Sequence, residues 1–277
     1  MNRDDEVVAA FGDEWSRFDQ SDLSQADREQ AFAKYFGIFP WDRLPSASAG
    51  LDIGCGSGRW AAMVAPRVGS LICIDASPEA AKVAEQNLAH LHNCTVVVAS
   101  VDSLPVAAGS MDFAYSLGVL HHVPDTQAAI RSCAETLKPG APLLVYLYYS
   151  FENRPRWFRA LWRISNVLRQ TISHSPAAVR NTTCEVIAST VYWPMARAGA
   201  LGSRLGAHTE GWPLSTYQHM SYYVMRTDAR DRFGTRLEQR FSRAEIETML
   251  LAAGLTDITF AEHMPYWCAV GFRAPTE

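Results

Sequence analysis

The sequence predicts a doubly wound, mostly parallel α/β sheet of seven strands carrying a helical insertion, on three observations. Short apolar or β-branched runs alternate with helix-patterned stretches over residues 51–147, the same pattern resumes after Ser242, and about 90 residues of different character lie between. Before the first strand, Phe11, Trp15, Phe18, Phe32, Tyr35, Phe36, Phe39 and Trp41 are dense enough to predict helices packed on the core. Residues 51–53, 71–74, 95–98, 113–117 and 143–147 read as five buried strands. Helical patterns fill 59–65, 78–91 and 126–137, and strand alternating with helix implies parallel pairing. Lys138-Pro139-Gly140 closes the third helix, because Gly suits the left-handed C-terminal position and Pro cannot continue a helix. After the insertion, Ser242-x-x-Glu245 forms a capping box and an apolar helix runs to Ala253. Gly254 stops it, and strands follow at 256–262 and 266–272. The expected division is an N-terminal helical region (1–45), a core (46–149 with 242–277) and an inserted, mainly helical cap (150–241).

Composition narrows the class. There is no run of 18 apolar residues, and Met1-Asn2-Arg3-Asp4-Asp5-Glu6 lacks the basic and apolar regions of a signal peptide, so a cytoplasmic location is expected. Cys55, Cys73, Cys94, Cys133, Cys184 and Cys268 include no C-x-x-C pair and read as reduced core thiols, with no metal site implied. The net charge of -4 is unevenly placed: residues 150–243 hold 14 Arg, no Lys and 6 acids, a net of +8, leaving 11 bases and 23 acids, a net of -12, elsewhere. A nucleic-acid surface is not expected, because the rest of the chain is acidic and the basic segment has no Lys.

Leu51-Asp52-Ile53-Gly54-Cys55-Gly56-Ser57-Gly58 is a strand entering a glycine turn. The dinucleotide pattern G-x-G-x-x-G needs glycine where this chain has Arg59, whereas the spacing here is D-x-G-x-G-x-G. A pyrophosphate wants backbone N–H groups and no nearby carboxylate, while the ammonium of a methionine-like zwitterion is favoured by an acid such as Asp52. The other reading of Asp52 is a turn or capping acid. Asp75, 21 residues after Gly54, can accept from both hydroxyls of a ribose or cap the helix that begins near Pro78.

With these motifs the sequence resembles the class I S-adenosylmethionine-dependent methyltransferases, from about Gly50 to Leu147 and again from Ser242 to Phe272. The matching residues are Asp52, Gly54, Gly56 and Gly58, then Asp75, Ser103-Leu104-Pro105, Leu120-His121-His122-Val123-Pro124-Asp125 and Leu137-Lys138-Pro139-Gly140. The resemblance implies a Rossmann-like sheet with S-adenosyl-L-methionine as donor. It also implies a donor site of Asp52, Gly54, Cys55, Gly56, Gly58, Asp75, Ala76, Ser100, Val101, Asp102 and Leu117. One position departs: an acid usually precedes the adenine-contacting residue, and here Ser100 stands there, followed by Val101 and Asp102. Either Ser100 accepts from the adenine amine or the Val101 backbone reads it.

Methyl transfer from a sulfonium is an in-line displacement in which positioning supplies much of the catalysis. A base helps when the acceptor is a hydroxyl, and His121 or His122 has an unperturbed pKa of about 6.5 for that role, His121 being slightly preferred. The alternative is that both pack beside the adenosine. Loops leaving the strand ends line such a site, which puts Tyr148, Tyr149 and His263 near the acceptor, either to orient it or to plug the cleft.

In the insertion, Pro155 can start a helix with Trp157, Leu161, Ile164 and Leu168 on one face and Arg156, Arg159 and Arg163 on another. A second apolar stretch spans 186–193. Buried together, these faces make a lid core or a dimer contact; the sharper alternative is an anionic or lipid-like acceptor. Arg226, Arg230, Arg232 and Arg236 pair with nearby acids or leave one fork, Arg226 or Arg236, to clamp an anion. Tyr217, His219 and Tyr222 stand upstream as acceptor contacts. The expected function is methyl transfer to a small-molecule acceptor, oxygen first with nitrogen and sulfur beside it. The alternative is a non-catalytic S-adenosylmethionine-binding scaffold that works through its insertion. Peripheral membrane contact through the insertion and a homodimer complete the expectations.

Overall fold

The computed structural model describes residues 2–19, 24–209 and 212–275. The chain divides into two compact units, one of Met1–Gln20, Arg28–Asn153 and Leu237–Glu277, the other of Ser21–Asp27 and Arg154–Arg236. In chain order the elements are α1 (Asp5–Arg17), α2 (Gln25–Phe36), β1 (Ala49–Ile53), α3 (Ala61–Val64), β2 (Ser70–Asp75), α4 (Pro78–Leu88), β3 (Cys94–Val98), β4 (Phe113–Leu117), α5 (Thr126–Glu135) and β5 (Pro142–Tyr146). The second unit contributes α6 (Arg156–Ser173), α7 (Ala177–Ile187), α8 (Trp193–Arg204) and α9 (Tyr222–Gly234), and the first resumes with α10 (Arg243–Ala252), β6 (Leu255–Phe260) and β7 (Cys268–Arg273).

The seven strands form one sheet in the order β3-β2-β1-β4-β5-β7-β6. All neighbours from β3 through β5 are parallel, and β7 runs antiparallel between β5 and β6. The short 261–267 turn explains the exception, since a tight connection can only reverse a strand. The chain winds outward from β1 through β2 to β3, then returns to place β4 on the other side of β1. That reversal opens a crevice at the carboxyl ends of β1 and β4, where ligands of open α/β sheets bind.

Each sheet face has its own core. One packs Ile130, Leu143, Ile246 and Leu250 beneath α5 and α10. The other is aromatic: α2 supplies Phe32 and Phe36, which meet Phe39, Trp41, Trp60, Phe113 and Tyr115, the leader helix the sequence predicts. The expected helix at 59–65 shortens to α3 and passes into a 3-10 turn at Ala65–Arg67, because Pro66 lacks the N–H that an α-helix interior needs. The capping box at Ser242 and Glu245 forms as read.

The second unit differs most from expectation. Its core consists of Cys184, Ala188, Tyr192, Ala196, Met225, Ala229 and Phe233, from α7, α8, α9 and the π-helical turn Ala188–Tyr192. The lid-core alternative for the apolar face of α6 does not hold within this unit: Trp157, Leu161, Ile164 and Leu168 are 55%, 48%, 64% and 58% exposed. An adjacent side turns inward, where Ser165 accepts from Arg232, Arg169 donates to the Thr235 carbonyl, and the Ser173 carbonyl accepts from Arg236. Polar groups hold this helix in place.

Candidate active site

The turn after β1 is built by three glycines with positive φ, Gly54, Gly56 and Gly58 at 77°, 54° and 78°. At Gly56 a Cβ would also meet the indole of Trp15 at 2.8 Å, so α1 crosses directly over the turn. The amides of Gly54 and Cys55 donate to the Ile74 carbonyl, locking the turn to the end of β2. Cys55 itself is buried in the aromatic core and Leu117 lies buried at the end of β4, so only the Cys55 backbone faces the turn's function.

Asp52 is 1% exposed, and its Oδ2 has no hydrogen-bond partner. Burial pushes its pKa up to about 8; the Tyr115 hydroxyl opposes this, and the nearby Asp75 carboxylate adds to it. The Arg59 charge pulls the other way but does not offset the burial. Asp52 caps nothing in the described structure, which removes the turn-acid alternative.

Asp75 receives the Gly56 amide on Oδ2 and the Ser77 amide on Oδ1, both at 2.9 Å. Burial raises its pKa and those amides offset part of the rise. The cap of α4 is Ser77, whose hydroxyl accepts from the Ala80 amide, so the capping alternative for Asp75 is corrected. Each carboxylate oxygen can accept twice, which leaves capacity for a diol. Ala76 follows it in the same turn. After β3, Val101 is buried, Ser100 is half-buried and Asp102 is exposed, its Oδ2 taking the Asn2 amide at 2.9 Å. The Ser100 hydroxyl, with that amide, holds the Asp102 carboxyl below its usual range.

His121 and His122 lie in a 3-10 turn after β4. His121 is fully buried, stacked on Tyr148 with ring centroids 3.8 Å apart, and neither ring nitrogen has a hydrogen-bond partner. Burial drives its pKa well down, reinforced by His122 and Arg240, so it is neutral. His122 places Nδ1 2.6 Å from the Leu237 carbonyl, which can only accept; Nδ1 therefore carries the proton and Nε2 is the basic nitrogen. Phe11 of α1 meets the His122 ring edge-on at 4.9 Å.

Residues 237–241 complete this cluster. Gln239 donates its amide to the His121 carbonyl and its side chain to the Val123 carbonyl, and Arg240 lies over the rings of Tyr148 and Phe151 while pairing with Glu238. Tyr148 thus belongs with the histidines, whereas Tyr149 packs on Phe151 and Tyr266, the opposite side, as alternation along an extended segment requires. His263 is exposed in the β6–β7 turn. Asn2, Phe11, Trp15, Leu237, Gln239 and Arg240 are contributors that the sequence reading did not select.

Within the second unit, Arg226 makes two parallel hydrogen bonds to Glu185, both at 2.8 Å, so its fork is already matched and the pairing alternative describes it. Arg236 donates to the Ser173 carbonyl. Tyr217 donates to Asp228, Tyr222 shares a hydrogen bond with Ser189, and His219 is exposed. Arg226, Arg236, Tyr217 and Tyr222 are thus engaged by partners within the unit.

A family profile described as a methyltransferase domain matches residues 51–145. A ubiquinone biosynthesis O-methyltransferase of Xanthomonas axonopodis pv. citri is 39% identical over 105 residues, 36% of this chain and 43% of that protein. The chain thus matches less than half the length of these curated relatives. A methyltransferase structure from Methanosarcina mazei covers 86% of this chain and 99% of its own at 17% identity and TM-score 0.53; one from Thermotoga maritima covers 96% and 100% at 13% and 0.52. Residues 51–145 therefore match a methyltransferase domain, and the sheet that holds them has the fold of these S-adenosylmethionine-dependent methyltransferases.

Proposed function

We propose that the protein transfers a methyl group from S-adenosylmethionine to a hydroxyl of a small molecule. The observation that carries this reading is Asp52, a fully buried carboxyl with an oxygen lacking any partner, at the mouth of the glycine turn. An ammonium there restores its charge and satisfies the orphaned atom. Asp75 has acceptor capacity for a ribose diol, and Ser100 with the Val101 backbone is available to the adenine edge. Bound in that crevice, S-adenosylmethionine supplies an electrophilic methyl on its sulfonium.

On the acceptor side the chain offers His122 Nε2 as the proton acceptor, its tautomer fixed through Leu237, and His121 with Tyr148 as an apolar wall that keeps water out. This moves the preferred base from His121 to His122. The name O-methyltransferase carried by the relatives supports oxygen as the acceptor atom. The test is incubation of the purified chain with isotopically labelled donor and a cell extract, with mass spectrometry to find the labelled product. His122→Asn retains a side-chain donor toward Leu237 but lacks Nε2, and it should leave donor affinity intact while lowering turnover by about 10²- to 10⁴-fold. Full turnover in that variant removes His122 as base, and absence of any labelled product removes the reading altogether.

A further inference from the structure

The surface of the second unit is unusual in two independent respects. Of the fifteen large apolar side chains exposed among the described residues, thirteen lie in Arg154–Arg236. Between residues 154 and 209 there are eight arginines and one acid, Glu185, and that acid is engaged by Arg226.

Both features meet on α6. Successive helical residues advance by about 100°, which puts Trp157, Leu161, Ile164 and Leu168 within one stripe, with Val167 at its edge. All five are exposed. Arg156 and Arg163 are exposed next to Val167 on one side of the stripe, Arg159 is exposed further round on the outer face, and the helix has no acidic residue. The remaining side is fixed inward by Ser165, Arg169 and Ser173, with Arg169 only 4% exposed. The helix therefore does not rotate to bury its stripe without breaking those hydrogen bonds.

We propose that the stripe of α6 is a docking surface for an anionic lipid bilayer, lying in the plane of the headgroups. Apolar side chains with a tryptophan near one end enter the acyl boundary, while the guanidiniums of Arg156, Arg159 and Arg163 on the outer face reach back on their long stems to the lipid phosphates. No helix among the described residues is long and apolar enough to cross a membrane, so this attachment is peripheral. Charge selects the occupant. A second copy would carry the same excess, eight arginines against one acid between residues 154 and 209, onto an equally basic surface. An anionic bilayer neutralises that excess.

The experiment is vesicle flotation of the purified full chain, with neither donor nor acceptor present, so its outcome is separate from that of methyl transfer. Vesicles of phosphatidylcholine alone are compared with vesicles containing about one-third phosphatidylglycerol, at low and high salt. The chain should float with the anionic vesicles and be released by salt. Ile164→Glu should weaken flotation at least tenfold; replacing Arg156, Arg159 and Arg163 by Gln should weaken it by about fivefold per arginine. All four positions are exposed, so circular dichroism melts should be unchanged and report that the variants fold. Failure of the native chain to float, or flotation unaffected by Ile164→Glu, overturns the proposal. So does sedimentation equilibrium showing a dimer that Ile164→Glu dissociates in a chain that ignores vesicles.

Discussion

Replacing Asp52 with Asn separates the two roles of this carboxyl, one that weakens the unliganded fold and one that binds. Its pKa stands near 8 in the folded chain against 3.8 for an unperturbed group. Between those values the native state holds a proton that the unfolded state has released, so the associated stability is whole below about pH 4 and is lost as pH rises toward 8. At pH 7 the difference amounts to roughly 1.4 kcal/mol for each of about three pH units, on the order of 4 kcal/mol. Asn carries no such proton. Whatever its own packing costs, the stability of Asp52→Asn relative to the native protein should therefore improve by about 1.4 kcal/mol per pH unit between pH 5 and 7. Urea denaturation at three pH values measures this slope difference directly. Calorimetry on the same variant should show S-adenosylmethionine affinity reduced by about 10- to 100-fold, the worth of a charge-assisted hydrogen bond. In the native protein, binding at pH 7 should release close to one proton, seen by comparing buffers of different ionisation enthalpy. Parallel pH profiles for the two proteins would refute the burial argument, and unchanged affinity would remove Asp52 from the donor site.

His121 should produce the opposite pH dependence. Its folded pKa is depressed, so below about 6.5 the unfolded chain takes up a proton that the native chain does not. The native protein should then lose stability relative to His121→Gln as pH falls from 7 to 5, by up to about 1.4 kcal/mol per unit, read from denaturation midpoints. Gly56→Ala forces a left-handed backbone on a residue with a Cβ and drives that atom against Trp15; thermal melts should show a loss of about 1–2 kcal/mol together with weaker donor binding. Arg226→Gln removes a partly exposed ion pair with Glu185 and should cost below about 1 kcal/mol without changing donor affinity. A selective rise in acceptor KM in that variant would reinstate Arg226 as an anion clamp.

The candidate donor half of the site is the more legible in the sequence because its signals are local. A glycine turn records its backbone conformation in a few adjacent residues, and Asp52 and Asp75 mark the ends of two neighbouring strands. The acceptor half is less so, because its partners come from far along the chain: Phe11 and Leu237 both reach His122, more than 100 residues away in each direction. No spacing rule connects them. The insertion shows a different limit. Periodicity separates the apolar stripe of α6 from the face of Arg156, Arg159 and Arg163, yet both are exposed; the side turned inward carries Ser165, Arg169 and Ser173, because α9 and the residues after it offer Arg232, Arg236 and the Thr235 carbonyl. A buried guanidinium with carbonyl partners loses little, so that side packs. With about half of each of these four side chains in water, the stripe forgoes roughly half of the 1.5–3 kcal/mol that full burial of a large apolar side chain is worth, a gain that an apolar environment at that surface would recover.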